Sequence, residues 1–369
     1  MKKLAIIGAS YLQLPIVQEA KEMGIETHCF AWADGAVCKD VADYFYPISI
    51  LDKEEILEIC QQIKIDGITT IASDAAVPTV CFIAGKMGLT GNAFEDAFVA
   101  TDKYQMRKRF AEFSVSSPKF VIADEDYSIV GFRFPLIVKP TDRSGSRGVM
   151  KIENSADLQE AVERAQSESF THHAIVEEYV SGSEVSVESI SWKGKHYILT
   201  ITDKVTTEEP YFVELEHHQP SLLSADIQQK IKIETLKALT SLNISYGASH
   251  SEFKITKDGE VFAIEVGARM GGDFIGSNLV KLSTGYDFVK GVIDVALGHF
   301  EEPTYSVKHS SGVYFLCKET EHLLPVIQHP ERYKEIIESE ITDTELHNIQ
   351  CSADRSGYLI YQAEKRFIV

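Results

Sequence analysis

The stretch Ser251-Glu252-Phe253-Lys254-Ile255, followed by Asp258-Gly259 and then Phe262-Ala263-Ile264-Glu265-Val266-Gly267-Ala268-Arg269, reads as a β-hairpin that presents two carboxylates to one point. Asp-Gly is a strong hairpin signal, and a two-residue turn there sets Lys257 against Glu260, Phe253 against Ile264 and Glu252 directly against Glu265. Side chains alternate along a strand, so Phe253, Ile255, Phe262, Ile264 and Val266 form an apolar face while His250, Glu252, Lys254 and Glu265 share the other. Opposed like charges, with Cβ atoms about 5 Å apart, destabilise a sheet unless a positive group lies between them. A divalent cation meets that need, and so few hard oxygen ligands suit Mg²⁺, which completes its shell with water and substrate phosphate. A solvent-exposed ladder in which Lys254 neutralises both acids meets it too.

The chain around this hairpin has 369 residues, 44% of them apolar, enough for two or three domains with substantial cores. A formal charge of −19 argues against non-specific binding to nucleic acid or an anionic membrane, and it leaves room for a local basic cleft that takes a phosphate ligand. Cys29, Cys38, Cys60, Cys81, Cys317 and Cys351 have no metal-ligand spacing and follow no secretory leader, so they read as reduced thiols in a cytoplasmic protein. The most apolar long window, residues 75–89, is too short and too broken to cross a bilayer.

From the N-terminus, residues 2–8 form a β-branched run closing on glycine, residues 15–23 a helical pattern and residues 26–30 a second strand. A helix over 54–64, a strand over 67–72 and a helix over 77–87 extend this to a Rossmann-like α/β domain with a parallel sheet. Its Gly8-Ala9-Ser10 turn lacks the glycine spacing of a dinucleotide site, which disfavours a nicotinamide oxidoreductase. Thr101-Asp102 caps a helix with a cationic first half, DKYQMRKRF at 102–110, where the macrodipole favours anions; this suggests an anionic ligand or else a solvated basic face. FPLIVKP at 134–140 is a buried strand delivering Lys139 and stopped by proline. The loop after it, Ser144-Gly145-Ser146-Arg147-Gly148, can wrap N–H groups and guanidinium forks around phosphate, although it lacks Walker A spacing. Two strands with a polar linker occupy 174–188, an amphipathic helix 225–241, and Gly271-Gly272-Asp273 opens a segment that a ligand can approach closely. Beyond residue 305, strands at 312–316 and 358–363 alternate with a helical piece near 330–339.

Taken in order, DKYQMRKRF, FPLIVKP, SGSRG, VEEYVSGSEVSVE at 176–188, HSEFKI at 250–255 and AIEVGARMGGD at 263–273 resemble the ATP-grasp superfamily, over roughly residues 1–300. The resemblance implies a Rossmann-like pre-ATP-grasp domain at 1–97, a small nucleotide-covering lobe at 98–185, a large lobe carrying metal and catalytic residues at 186–300, and a C-terminal α+β extension at 301–369 packed on the large lobe. It further implies that Lys103 and Lys139 hold the nucleotide phosphates under a mobile loop of Ser144, Gly145, Ser146 and Gly148. Glu177, Glu178, Tyr179 and Val180 match the hinge that reads the adenine edge, and Glu184 matches the acid that bonds the ribose. Glu252 and Glu265 match the paired Mg²⁺ ligands, and Mn²⁺ is an accepted substitute. Arg269, with Lys139, matches the catalytic cations that stabilise the transferring phosphoryl group. The family pattern has asparagine two residues after the second glutamate, where this chain has Gly267, which puts a second Mg²⁺ in question.

The form EVGARxGGD is similar to ATP-dependent L-amino acid ligases and to carbamoyl-phosphate-synthase-like proteins. The expected activity is therefore an ADP-forming carboxylate–amine ligase working through an acylphosphate, with ATP and two small molecules as partners, no nucleic acid and no membrane; a homodimer is an admitted assembly. Substrate contacts are expected from Arg269, Gly271, Gly272 and Asp273, the last for an amino group, and from His218 in a His217-His218-Gln219-Pro220 loop at the cleft mouth. His250 is expected to be structural. The rival readings are a bicarbonate-using carboxylase or carbamoyl-phosphate-type kinase, and a non-catalytic ATP sensor.

Overall fold

The computed structural model describes residues 1–124, 127–143, 145, 147–207, 209 and 211–369. Four short strands, β1 (Lys3–Ile7), β2 (Glu26–Phe30), β3 (Tyr44–Tyr46) and β4 (Gly67–Thr69), pair in parallel in the order β3-β2-β1-β4. The helices α1 (Leu14–Glu22), α2 (Lys53–Ile63) and α3 (Val77–Met87) belong to the same unit. A parallel sheet must be covered on both faces, and β1 satisfies this by alternation. Leu4 and Ile6 pack with Ile16 and Val17 of α1 and with residues 288–296 far down the chain, while Ala5 and Ile7 pack with Ile56, Cys60 and Ile83.

Next come α4 (Phe94–Thr101) and α5 (Lys103–Glu112), the latter capped by the Asp102 carboxylate, which accepts from the Gln105 N–H at 2.8 Å. The second sheet, β5 (Phe120–Ile122), β6 (Leu136–Pro140), β7 (Met150–Ile152) and β8 (Ala174–Glu178), runs antiparallel in the order β5-β8-β6-β7. Its apolar face closes on Ala161, Val162 and Ala165 of α6 (Leu158–Glu168). The third sheet has eight antiparallel strands: β9 (Ser183–Trp192), β10 (Lys195–Thr206), β11 (Glu214–Gln219), β12 (Gly247–Ile255), β13 (Val261–Gly267), β14 (Ser310–Leu316), β15 (Ile336–Ile341) and β16 (Gly357–Ala363). Their order is β13-β12-β9-β10-β11-β14-β16-β15. Val185, Val187, Ile201, Phe253 and Ala263 bury one face of it against α7 (Ala225–Ser241). A π-helical turn (Ile275–Leu279), α8 (Val280–Thr284) and α9 (Phe288–Ala296) follow the hairpin.

The hairpin departs from its expected register in two ways that cancel. The turn has three residues, 257–259, closed by the Thr256 N–H on the Glu260 carbonyl at 2.9 Å, so Phe253 faces Ala263 rather than Ile264. A bulge between Glu252 and Phe253 then absorbs Ile264 and restores Glu252 opposite Glu265. The core face is accordingly Phe253, Ile255, Val261, Ala263 and Val266, whereas Phe262 and Ile264 lie on the other side, half-buried.

Three further expectations change. The His217-His218-Gln219 stretch is no loop but the buried end of β11, in mid-sheet. The strands at 174–178 and 183–192 belong to different sheets, and a boundary at 185/186 falls inside β9. Residues beyond 305 join the large lobe edge to edge. β14 pairs with β11 and β16 with β14, so they continue its sheet, and the piece near 330–339 contains the strand β15 rather than a helix.

Candidate active site

The face of the eight-stranded sheet opposite α7 is polar because register stacks charged residues in rows. Glu184 lies beside Lys204 and Lys254, Glu252 beside Ser186 and Glu265, and Glu188 beside Thr200 and His250. Between this face and the second sheet is a cleft of ≈ 230 Å³. Lys103, Lys139, Gly145, Glu177, Glu178, Tyr179, Val180, Glu184, Glu252 and Glu265 all line it, so the structure brings together residues from position 103 to position 265. Ser144 and Ser146 lie outside the described residues. Gly148 stands just behind the loop, against Pro140 and Glu168.

Lys139 ends β6 with its ammonium 2.7 Å from Glu177, and Arg107 from α5 places its Nε 2.7 Å from the same carboxylate. Burial alone would raise the Glu177 carboxyl; the Arg107 and Lys139 cations keep it below the usual carboxylate range. Burial and the neighbouring cations Arg107 and Lys103 hold Lys139 below the usual lysine range, against the pull of Glu177. The Glu177 side chain is thus engaged by Lys139 and Arg107, and the Glu178 carboxylate accepts from the Arg133 N–H at 3.1 Å.

The lysine that sequence reading assigned to Glu252 and Glu265 is not the one that meets them. Lys204, unremarked in HYILTITDKV, sits 2.7 Å from Glu252, 2.6 Å from Glu184 and 3.3 Å from Glu214. Lys103 takes Glu265 at 3.0 Å, and Lys254 pairs with Glu184 at 2.9 Å. The three acids overcome the burial of Lys204 and hold it well above its ordinary range; despite its own burial, Glu252 stays well below its own, mainly through Lys204. The detectable signal for Lys204 was the pattern of Lys139 repeated, a lone lysine at the end of an apolar strand. Among the described residues no group of three or more His, Cys, Asp or Glu side chains could hold a metal alone. Glu252 and Glu265, opposed and facing one cleft, fit a Mg²⁺ whose remaining ligands come from phosphate and water.

Arg269 is gripped by a residue from the first sheet domain: its Nε and Nη2 donate to the two oxygens of Asp74 at 2.9 and 2.7 Å. This pair explains Gly267. A Cβ at that position would lie 2.6 Å from Asp74 Oδ1 and 3.2 Å from the Arg269 guanidinium, so Asp74 occupies the room an asparagine side chain would need. Gly271 is empty for a similar reason, because its Cβ would meet Glu188 Oε1 and His250 Nδ1 at 2.7 Å. Its N–H donates to Glu188 at 3.0 Å and is thus already engaged.

His218 is not part of the site. It points to the far face, bonded to the Tyr361 hydroxyl at 2.9 Å and to Glu216 at 2.7 Å. Its neighbour His217 shares the face of Lys204, fully buried, and neither ring nitrogen finds a hydrogen-bond partner among the described residues. Burial, then Lys204 and Arg355, keep it neutral, well below the ordinary histidine range.

His250 bonds the buried Glu188 through Nδ1 and lies 3.4 Å from Glu252 through Nε2. Burial opposes its charge, but these carboxylates raise its pKa to about 9. A group raised in the folded state stabilises fully below its unfolded pKa and loses that stabilisation as pH rises through the folded value. The melting-temperature gap between wild type and His250→Gln is therefore expected to narrow from about pH 7 to about pH 10, a loss of no more than about 3 kcal/mol. A constant gap would mean that His250 is neutral throughout.

Residues 132–277 match the ATP-grasp domain family. Alanine–anticapsin ligase of Bacillus subtilis is 28% identical over 295 residues, covering 70% of this chain and 62% of the relative. A carbamoyl phosphate synthase large chain from Caldanaerobacter subterraneus is 24% identical over 262 residues, 69% of this chain and 24% of that one. The chain thus spans about three fifths of the length of the first of these relatives. Among solved structures, an L-amino acid ligase from Bacillus licheniformis superposes with a TM-score of 0.81 at 22% identity, over 99% of this chain and 94% of that one. N5-carboxyaminoimidazole synthetase from Staphylococcus aureus complexed with ADP gives 0.80 at 16% identity, over 99% and 94%. Among the described residues no helix is long and apolar enough to cross a membrane. Residues 132–277, which supply most of the cleft, thus match the ATP-grasp domain family, and the mixed α/β fold of the chain is similar to that of these solved structures.

Proposed function

We propose that this protein is an ADP-forming carboxylate–amine ligase that joins an amino acid carboxylate to an amine through an acylphosphate. The observation that carries the reading is the single cleft in which Lys103, Lys139 and Lys204 surround the opposed Glu252 and Glu265, with Arg269 clamped beside Gly267. That arrangement suits phosphoryl transfer, which asks of a protein mainly positioning and charge stabilisation. When bound through Glu252 and Glu265, Mg²⁺ would neutralise phosphate charge.

In this reading Lys103 and Lys204 leave their carboxylates to contact phosphate oxygens as MgATP enters. The buried Lys139 is held charged and aimed by Glu177. Arg269 then stabilises the charge that develops as the substrate carboxylate attacks the γ-phosphate, and again as the amine attacks the acylphosphate and expels phosphate. The loop around Gly145 is suited to exclude water between those events. Alanine–anticapsin ligase and L-amino acid ligase, as names of similar proteins, support amino acids as substrates.

The test is phosphate release from MgATP with L-amino acids, singly and in pairs, using Glu265→Ala as the blank. Release that requires amino acids and disappears in the variant is the expected outcome. Release with bicarbonate alone would transfer the reading to a carboxylase, and ATP binding without turnover to a sensor.

A further inference from the structure

Behind the nucleotide cleft a cavity of ≈ 740 Å³ opens where α1, the segment after Arg269 and the C-terminal strands meet. Asp273 and Phe274 enter it with φ of +49° and +65°, two successive non-glycine residues in the left-handed region. Strain of this kind persists where surrounding structure enforces it, and it concentrates at ligand sites. The π-helical turn that follows, Ile275–Leu279, is another geometry frequent at functional positions.

The bend carries the Asp273 carboxylate to Arg355, whose Nη1 donates to it at 2.8 Å. Arg355 comes from the segment before β16. Its guanidinium lies 3.7 Å from the Phe315 ring centroid, and its Nη2 donates to the Glu214 carbonyl at 2.9 Å. The Nε is buried without a partner among the described residues. Both Asp273 and Arg355 line the cavity, while Glu214 lines the nucleotide cleft. A small pocket of ≈ 20 Å³ shares Asp273 and Phe274 with this cavity and is lined further by Gly271 and Gly272.

We infer that Asp273 and Arg355 recognise the amine-supplying amino acid, Asp273 its ammonium and Arg355 its carboxylate. This deepens the ligase reading and rests on it. The substrate that is phosphorylated must reach the γ-phosphate beside Arg269. The one that supplies the amine keeps its own carboxylate and needs a lasting cation, which a rigid, stacked guanidinium offers in bidentate form. The mutual Asp273–Arg355 pair keeps both charges compensated while no ligand is bound. Glu19, Glu22, Glu338 and Glu340 line the rest of the wall, whereas Lys281 is paired with Asp287. The side chain accepted there is neutral or cationic, and an acidic one is repelled.

Arg355→Met and Asp273→Asn in the full chain test the assignment. Loss of one charge-assisted contact should raise KM for the amine-supplying amino acid by about 10- to 100-fold, with KM for ATP within about two-fold. Glu338→Gln/Glu340→Gln, at exposed positions, should raise the use of glutamate relative to lysine. Melting shifts induced by amino acids without ATP provide a second readout. If wild type shows no amino-acid-dependent turnover but its melting shift vanishes in Arg355→Met, the ligase reading fails and the site stands. If turnover is amino-acid-dependent while both variants keep the wild-type amino acid KM, or lose ATP and amino acid affinity together, the inference is overturned.

Discussion

Gly267→Asn, which restores the residue usual in the family, is expected to inactivate this protein. The asparagine Cβ would lie 2.6 Å from Asp74 Oδ1, and the backbone at Gly267 is tied to His250 by the pairing of β13 with β12, so the carboxylate must move. Asp74 grips Arg269 through Nε and Nη2, and its displacement releases the guanidinium from its position beside Gly267. A shift near 1 Å at such a group lowers kcat by about 10²-fold, and the overpacking destabilises by about 1–3 kcal/mol. Adding Asp74→Ala removes the collision and leaves room for the new amide to hold Arg269, so the double variant should be more active than Gly267→Asn alone. In contrast, Asp74→Ala by itself should be harmful, because it strips a buried cation of its partner. Steady-state kcat of the four proteins, wild type included, forms the cycle. Additive losses would mean that Asp74 and position 267 do not compete for space.

The limits of sequence reading at this site follow from the range of the interactions. Glu252 and Glu265 could be matched because a hairpin fixes its own register over a dozen residues, and a one-residue error in the turn was repaired by a bulge at Ile264. The bulge is itself informative: it turns Ile264 out of the core and into the cleft lined by Lys139 and Glu252. Lys139 was legible because proline ends its strand at a defined point. Asp74 was not, since no local pattern says that a helical turn of the first domain reaches Arg269 across 195 positions of sequence. The same holds for Lys204, which enters through the pairing of β10 with β9, and for Arg355, which depends on β14 and β16 joining the large sheet. His217 and His218 illustrate a choice that adjacency cannot settle. Alternation sends them to opposite faces, and only the pairing of His217 with Lys204 identifies which one faces the site.

The second large effect is expected from Glu177→Gln, a substitution that keeps shape and removes one charge. Glu177 is 3% exposed and balances two cations, Arg107, which is fully buried, and Lys139. Taking the acid from a buried ion cluster leaves uncompensated charge and costs about 3–5 kcal/mol, seen as a lower melting temperature. Arginine keeps its proton under any such stress, so the adjustment falls on lysine. Lys139 is already below the ordinary lysine range because burial and the charges of Arg107 and Lys103 oppose its proton, with Glu177 pulling the other way. Without that pull its pKa drops further, and the ammonium deprotonates closer to neutral pH. Protonation returns as pH falls, so MgATP affinity in Glu177→Gln should be weak above neutrality and recover toward acid, opposite to the behaviour of a site limited by carboxylate ionisation. Isothermal titration of MgATP at several pH values reads this out. A pH-independent loss of affinity would place the role of Glu177 in packing alone, whereas recovery at low pH ties the charge of Lys139, and MgATP binding with it, to the Glu177 carboxylate.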